Sequence, residues 1–160
     1  MLKQIANRIE LLSFKERALL LIATAAFFFA LTQPAFTTRN NDGVQTTKGF
    51  DIFAFGGLAI LGGGLLEWII WLANPFILIS VVNCLAGKAR FKFLSIVAVL
   101  LAVSFYFWNS ILGSESGRID PILSKGVGYF SWLAAIILWM IFIFVMKPAS
   151  PKSPGTPHIK

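Results

Sequence analysis

Residues 127–146 of this chain read VGYFSWLAAIILWMIFIFVM, and this stretch decides the predicted fold because it contains no charged side chain. Twenty residues in an α-helix rise about 30 Å, which matches the hydrocarbon core of a bilayer. The whole chain is 57% hydrophobic and 13% charged, whereas soluble domains carry about 25% charged residues. We therefore expect a membrane protein.

Apolar stretches of similar length lie upstream of this one. They predict transmembrane spans at residues 17–36, 64–87 and 93–113, in addition to 127–146. Two polar segments with turn-forming residues separate some of these spans: TTRNNDGVQTTKG at 37–49 and SESGRIDPILSKG at 114–126. Both are predicted to be loops.

The segment around the second span allows two interpretations, because residues 50–87 would extend about 57 Å as one helix. In the first, residues 51–63 form an interfacial helix and residues 64–87 cross the bilayer once. In the second, the segment forms a hairpin that turns at Asn74-Pro75, and residues 75–87 are its second arm. That arm would reach only about 20 Å, which favours the first interpretation.

The predicted fold is therefore an all-α membrane protein, a four-transmembrane-helix bundle with an extra interfacial helix before the second span. Residues 1–146 form its single transmembrane domain. Residues 1–16 are predicted to contain an amphipathic surface helix. Near the end of this segment, Ser13 and Glu16 predict a capping box that restarts a helix. Residues 147–160 contain four prolines and predict a disordered, Pro-rich cytoplasmic tail.

The positions of Lys and Arg predict the orientation, because these residues accumulate on the cytoplasmic side. With the amino terminus inside, four spans place ten of them on the inner side and four on the outer side. The outer four are Arg39, Lys48, Arg118 and Lys125. The hairpin interpretation would place six inside and eight outside. We therefore expect a multi-pass protein of the plasma membrane with both termini in the cytoplasm.

Five residues stand out as candidate functional or packing positions. Glu67 is the one acidic residue inside an apolar run, where a charged group is costly and suggests function. Gly63, Glu67, Trp71 and Asn74 are spaced by four, four and three residues, so they share a face if the helix is continuous. Pro75 removes a backbone donor and predicts a kink. Glu67 is either a proton or cation site helped by Asn74, or a structural group near the outer interface that reaches water or caps a neighbouring helix.

Several kinds of chemistry are not expected. The sole histidine is His158 in the tail and the sole cysteine is Cys84, so we predict no catalytic residues, no metal site and no cofactor. The net charge of +7 lies in clusters beside apolar runs, which argues against nucleic acid as a partner. Six aromatic residues could stack on a ligand, although most are expected to be interface anchors or lipid-facing bulk: Trp68, Trp71, Trp108, Tyr129, Trp132 and Trp139.

Two short motifs are similar to those of a known group of proteins. The chain has Ala73-Asn74-Pro75 after Trp71, and Gly128-Tyr129 followed by Trp132-Leu133. They resemble an uncharacterised family of small bacterial four-span inner-membrane proteins with Ala-Asn-Pro and Gly-Tyr-x-x-Trp-Leu motifs. The resemblance covers about residues 50–146, lacks a Gly-Pro that the family has before Gly128, and implies a bacterial inner-membrane location with no known activity.

The sequence thus predicts a small, non-enzymatic integral membrane protein that acts through helix or protein contacts. Its expected partners are the lipid bilayer and either another membrane protein or further copies of itself. The alternative is a small transporter or channel subunit that uses Glu67 as an intramembrane acidic site.

Overall fold

A computed structural model describes residues 2–88, 91–113 and 117–146. The predicted tail, residues 147–160, lies outside this described part. The helices and strands follow in chain order as α1 (Leu2–Glu10), α2 (Phe14–Thr32), β1 (Pro34–Asn40), β2 (Gly43–Lys48), α3 (Gly49–Phe55), a 3-10 segment (Gly56–Gly62), α4 (Leu65–Trp71), α5 (Ala73–Leu85), α6 (Lys92–Ser104), a 3-10 turn (Phe105–Phe107), β3 (Ser110–Leu112), β4 (Ile119–Lys125) and α7 (Val127–Val145).

The four strands form one antiparallel sheet in the order β2-β1-β4-β3. A tight hairpin joins β1 to β2, with Asn40 paired to Gly43. Gly43 has φ +125°, a conformation that side chains disfavour, and the Asn40 side chain accepts a hydrogen bond from the Asp42 N–H at 2.9 Å. The pairing of β1 with β4 then joins segments that are far apart in sequence, for example Phe36 with Lys125.

This sheet shows that the predicted all-α fold is wrong and that the protein is a mixed α/β protein. The predicted loop 37–49 contains most of β1 and all of β2, and the predicted loop 114–126 contains β4. Threonine, which occurs four times in the first loop, favours extended backbone. Their backbone donors and acceptors find partners once the two segments lie side by side.

The predicted four-transmembrane-helix bundle is also wrong. Within the described residues, two helices are long and apolar enough to cross a membrane, Leu65–Leu85 and Val127–Val145. Helix α2 has 19 residues, but Lys15, Glu16 and Arg17 place three charges in its first turn. Helix α6 has only 13 residues, because the predicted span 93–113 ends in a 3-10 turn and in β3.

The segment before the second span does not turn at Asn74-Pro75. The chain instead breaks at Gly63-Gly64, where Gly63 has φ +86°. Helices α4 and α5, interrupted only at Leu72, follow each other as one helical stretch from Leu65 to Leu85 that passes through the Asn-Pro pair. Helix α3 and the 3-10 segment occupy the region predicted as an interfacial helix, residues 51–63.

The helices pack through small residues, and the sheet covers one end of them. Helix α2 lies along α7, and α6 contacts both α5 and α7. The fully buried alanines that allow this close approach are Ala23, Ala73, Ala98, Ala102 and Ala135. A second cluster of buried residues joins the sheet to the helix ends and consists of Ala35, Phe36, Phe105 and Tyr129.

The start of α2 is as predicted. Ser13 and Glu16 form a capping box, in which the Ser13 N–H donates to the Glu16 carboxylate at 2.8 Å and the Glu16 N–H donates to Ser13 Oγ at 3.4 Å. These bonds occupy backbone donors that the first turn of a helix leaves unpaired.

Candidate functional site

A cavity of about 200 Å³ lies where the sheet meets the helix ends. Its walls come from the end of α2, from β1, α3, α4, α5 and β3, and from the start of α7. An engineered cavity of about 150 Å³ with apolar walls holds a benzene molecule, so this cavity is large enough for an aromatic ring. The apolar side chains that line it include Ala30, Phe36, Ile52, Phe53, Ile70, Phe105 and Ile111.

Three of the five predicted positions line this cavity: Glu67, Trp71 and Asn74. Gly63 does not, because the helix begins only at Leu65 and the predicted common face therefore stops there. A side chain at Gly63 would meet no neighbour, so the positive φ explains the glycine, and helix packing does not. Pro75 lies next to the cavity in the first turn of α5 and acts on it through its neighbour Asn74.

Asn74 connects the two halves of the site and is only 4% exposed. Its Nδ2 donates to the backbone carbonyl of Trp71 at 3.0 Å. That carbonyl would accept from the N–H of residue 75 in a regular helix, but Pro75 has none. The Asn74 side chain thus replaces the missing donor, while its Oδ1 accepts from Trp132 Nε1 at 2.8 Å.

Glu67 connects α4 to the sheet. Its Oε1 accepts a hydrogen bond at 2.8 Å from the backbone N–H of Leu112 in β3. Leu112 is the last residue of a three-residue strand, so this bond holds the end of β3 against α4. The structural hypothesis for Glu67 expected it to cap a neighbouring helix, whereas this contact is with a strand.

Trp71 is held by backbone on one side and by glycines on the other. Its Nε1 donates to the carbonyl of Phe53 at 3.0 Å. A Cβ atom at Gly56 would lie 2.5 Å from the Trp71 ring, and one at Gly57 would lie 3.1 Å from it. These two glycines therefore leave room for the indole, which fixes α3 against α4.

Tyr129 and Trp132 belong to the site, although the sequence suggested membrane anchors. Both line the cavity, and Tyr129 donates its hydroxyl to the carbonyl of Ala102 at 3.0 Å. A side chain at Gly128 would clash with the backbone of Gln33 and Pro34, so α7 begins in direct contact with β1. The three-residue spacing of Tyr129 and Trp132 on a helix was a usable signal, because it places both rings on one face.

The two motifs that carry the family resemblance contact each other here. Asn74 belongs to the Ala-Asn-Pro motif and Trp132 to the Gly-Tyr-x-x-Trp-Leu motif, and these two residues form the hydrogen bond that joins α5 to α7.

Charged side chains in and beside β4 have local partners. Arg118 donates to both carboxylate oxygens of Asp120, at 2.8 and 3.2 Å, and Asp120 is 5% exposed. Lys125 Nζ donates to the carbonyl of Trp108 at 2.8 Å. Partial burial lowers the pKa of the Lys125 amine, because desolvation disfavours its charged form.

Within the described residues, no group of three or more His, Cys, Asp or Glu side chains is placed to hold a metal ion. In comparisons with protein-family models, curated proteins and solved structures, nothing matches this chain. The resemblance to a family of small bacterial membrane proteins therefore stays a prediction.

Proposed function

We propose that this chain is a non-enzymatic membrane protein whose helices lie in the bilayer, where Leu65–Leu85 and Val127–Val145 are the two described helices that are long and apolar enough to cross it on their own. The surface of the helices supports this placement, because it carries large apolar side chains that water would solvate poorly. Those more than one-third exposed include Leu21, Ile22, Phe28, Phe29, Leu78, Ile79, Phe93, Leu100, Phe144 and Val145. Lipid is the natural environment for such a surface.

We further propose that the sheet faces away from the cytoplasm. Helix α1 packs against α5, and Leu12 belongs to the same core cluster as Leu85 and Met146, at the helix ends farthest from the sheet. The basic side chains of this end and its flanking segments include Lys3, Arg8, Lys15, Arg17 and Lys88. Cytoplasmic ends of membrane helices favour such an excess, so both chain ends are proposed to be cytoplasmic, as in a bacterial inner membrane.

The proposed activity is the binding of an apolar group of a small molecule in the cavity beneath the sheet. One observation carries this proposal: the uncharged polar side chains of the cavity wall already make hydrogen bonds inside the protein. Asn74 is bonded at both ends, and the Trp71 indole N–H is bonded to Phe53. What these walls offer a ligand is mainly apolar and aromatic surface, which suits binding through shape and burial.

A cavity-filling variant tests the binding proposal. A ligand that binds only the folded state raises the unfolding temperature, and it stabilises by about 2.7 kcal/mol at a hundredfold excess over Kd. We expect the neutral probe neopentylbenzene to raise the unfolding temperature of the wild type in dodecyl maltoside, and the variant Ile70→Phe to lose this response. Ile96→Phe is the matched control, because Ile96 lies on the exposed surface of α6.

The control also corrects for partition of the probe into detergent, since both variants experience it equally. If Ile70→Phe responded to the probe as strongly as Ile96→Phe does, the cavity would not be the binding site and the proposal would be wrong.

Cysteine labelling tests the proposed orientation. In a Cys84→Ala background, a membrane-impermeant maleimide added to intact cells is expected to label Gln45→Cys in β2 and Ser124→Cys in β4. It is expected to leave Lys88→Cys unlabelled until the cells are opened, because that residue follows the cytoplasmic end of α5. Labelling of Lys88→Cys in intact cells would contradict the orientation.

A further inference from the structure

We propose that the ligand of this cavity is a small lipophilic organic cation, with its ammonium group next to Glu67 and its apolar part among the aromatic rings. This inference rests on the proposed function, since it names the class of molecule that the same cavity binds. It is carried by the charge of Glu67 and by the aromatic composition of the walls.

Among the residues that the structure describes, no basic side chain forms an ion pair with the Glu67 carboxylate. Its Oε1 accepts from the Leu112 N–H, whereas its Oε2 has no hydrogen-bond partner among the described residues. No Lys or Arg of the described segments lines the cavity. The two basic side chains of β4 and its preceding residue have other partners, Arg118 the Asp120 carboxylate and Lys125 the Trp108 carbonyl. Glu67 is partly buried, and a carboxylate beside a largely apolar wall is stabilised by a partner of opposite charge.

The aromatic rings of the cavity wall suit the same ligand. The rings of Trp71, Tyr129 and Trp132 line it together with those of Phe36, Phe53 and Phe105. The face of an aromatic ring attracts a cation, and sites for quaternary ammonium groups are commonly built from such rings. A volume of about 200 Å³ accommodates a single ring that carries a small ammonium group, since about 150 Å³ holds benzene.

Two probes of nearly equal shape separate the effect of the ligand's positive charge from the effect of its size. Benzyltrimethylammonium and neopentylbenzene differ in that a quaternary nitrogen in one replaces a quaternary carbon in the other. We expect the wild type to prefer the cation in thermal-shift titrations carried out in dodecyl maltoside. We expect Glu67→Gln to reduce this preference about tenfold, which corresponds to about 1.4 kcal/mol.

Glu67→Gln is suited to this experiment because its amide oxygen can still accept from the Leu112 N–H, so that the contact with β3 is kept. The matched control is Asp51→Asn, which removes one negative charge from an exposed position on α3 that does not line the cavity. This control is expected to keep the wild-type preference.

The outcomes separate this inference from the proposed function. Binding of neopentylbenzene without a preference for the cation, or a preference that survives Glu67→Gln, overturns the inference and leaves the apolar cavity intact. Failure of both probes to bind the wild type overturns the proposed function itself. Loss of the preference in Asp51→Asn as well as in Glu67→Gln would show that general surface charge causes it, and would also overturn the inference.

Discussion

Trp132 Nε1 donates a hydrogen bond to Asn74 Oδ1 over 2.8 Å, although the two residues are 58 positions apart in the chain. This bond joins the beginning of α7 to the beginning of α5, directly beside the cavity. Asn74 also donates to the Trp71 carbonyl. One buried side chain therefore supplies the hydrogen bond that Pro75 cannot make and also fixes the distance between α5 and α7. The shape of the cavity therefore depends on this contact.

Two tryptophans on α7 allow the energy of this bond to be measured. Trp132→Phe leaves the buried Asn74 Oδ1 without its donor, and we expect a loss of about 1 kcal/mol of stability. Trp139 is 4% exposed, and its Nε1 has no hydrogen-bond partner within the described residues, so Trp139→Phe removes a polar group that makes no bond. Chemical unfolding in detergent is expected to show a larger loss for Trp132→Phe. A larger loss for Trp139→Phe would contradict this account.

A double-mutant cycle tests whether Asn74 replaces the backbone donor that Pro75 lacks. In the wild-type background, Asn74→Ala leaves the Trp71 carbonyl and the Trp132 indole unpaired, with an expected cost of about 1–3 kcal/mol. In a Pro75→Ala background, the N–H of residue 75 can bond to the Trp71 carbonyl. The cost of Asn74→Ala, measured as a change in the free energy of unfolding, should then be smaller than in the wild-type background. If the two substitutions had strictly additive effects, Asn74 would not be replacing the donor that Pro75 lacks.

The bond between Glu67 and Leu112 predicts different effects for two substitutions. Glu67→Gln keeps an acceptor for the Leu112 N–H and should preserve stability within about 0.5 kcal/mol. Glu67→Leu removes the acceptor and should cost about 1–2 kcal/mol. Hydrogen exchange of the Leu112 amide is the direct measurement, since it should become faster in Glu67→Leu and stay close to wild type in Glu67→Gln. Equal exchange in both variants would mean that the bond does not hold β3.

The glycines against Trp71 predict a graded response. A Cβ atom at Gly56 would lie 2.5 Å from the indole, whereas one at Gly57 would lie 3.1 Å from it. We expect Gly56→Ala to destabilise by about 1–3 kcal/mol, as overpacking does, and Gly57→Ala to cost less. Because both added methyl groups press on the Trp71 indole, the change in tryptophan fluorescence should also be larger for Gly56→Ala than for Gly57→Ala. Equal costs for the two variants would contradict the close approach of the 3-10 segment to this ring.

Some features followed from the sequence alone because they depend on local patterns. The apolar run at residues 127–146 predicted a helix with nearly the observed bounds, Val127–Val145. Ser13 and Glu16 predicted the capping box, since its partners are three residues apart. Glu67 was singled out as an isolated acid in an apolar run, and its place in a cavity wall depends on which segments the fold brings beside it.

The sheet and the cavity were decided by the tertiary structure. The strand β4 pairs with β1 across most of the chain, and a short polar strand has no partner for its backbone donors and acceptors until those distant segments meet. The turn residues Asn40 to Gly43 were a hairpin signal, yet their polar flanks resembled a loop. Composition and helical periodicity thus determined which segments are apolar helices, whereas the site arose from long-range contacts that no local pattern encodes.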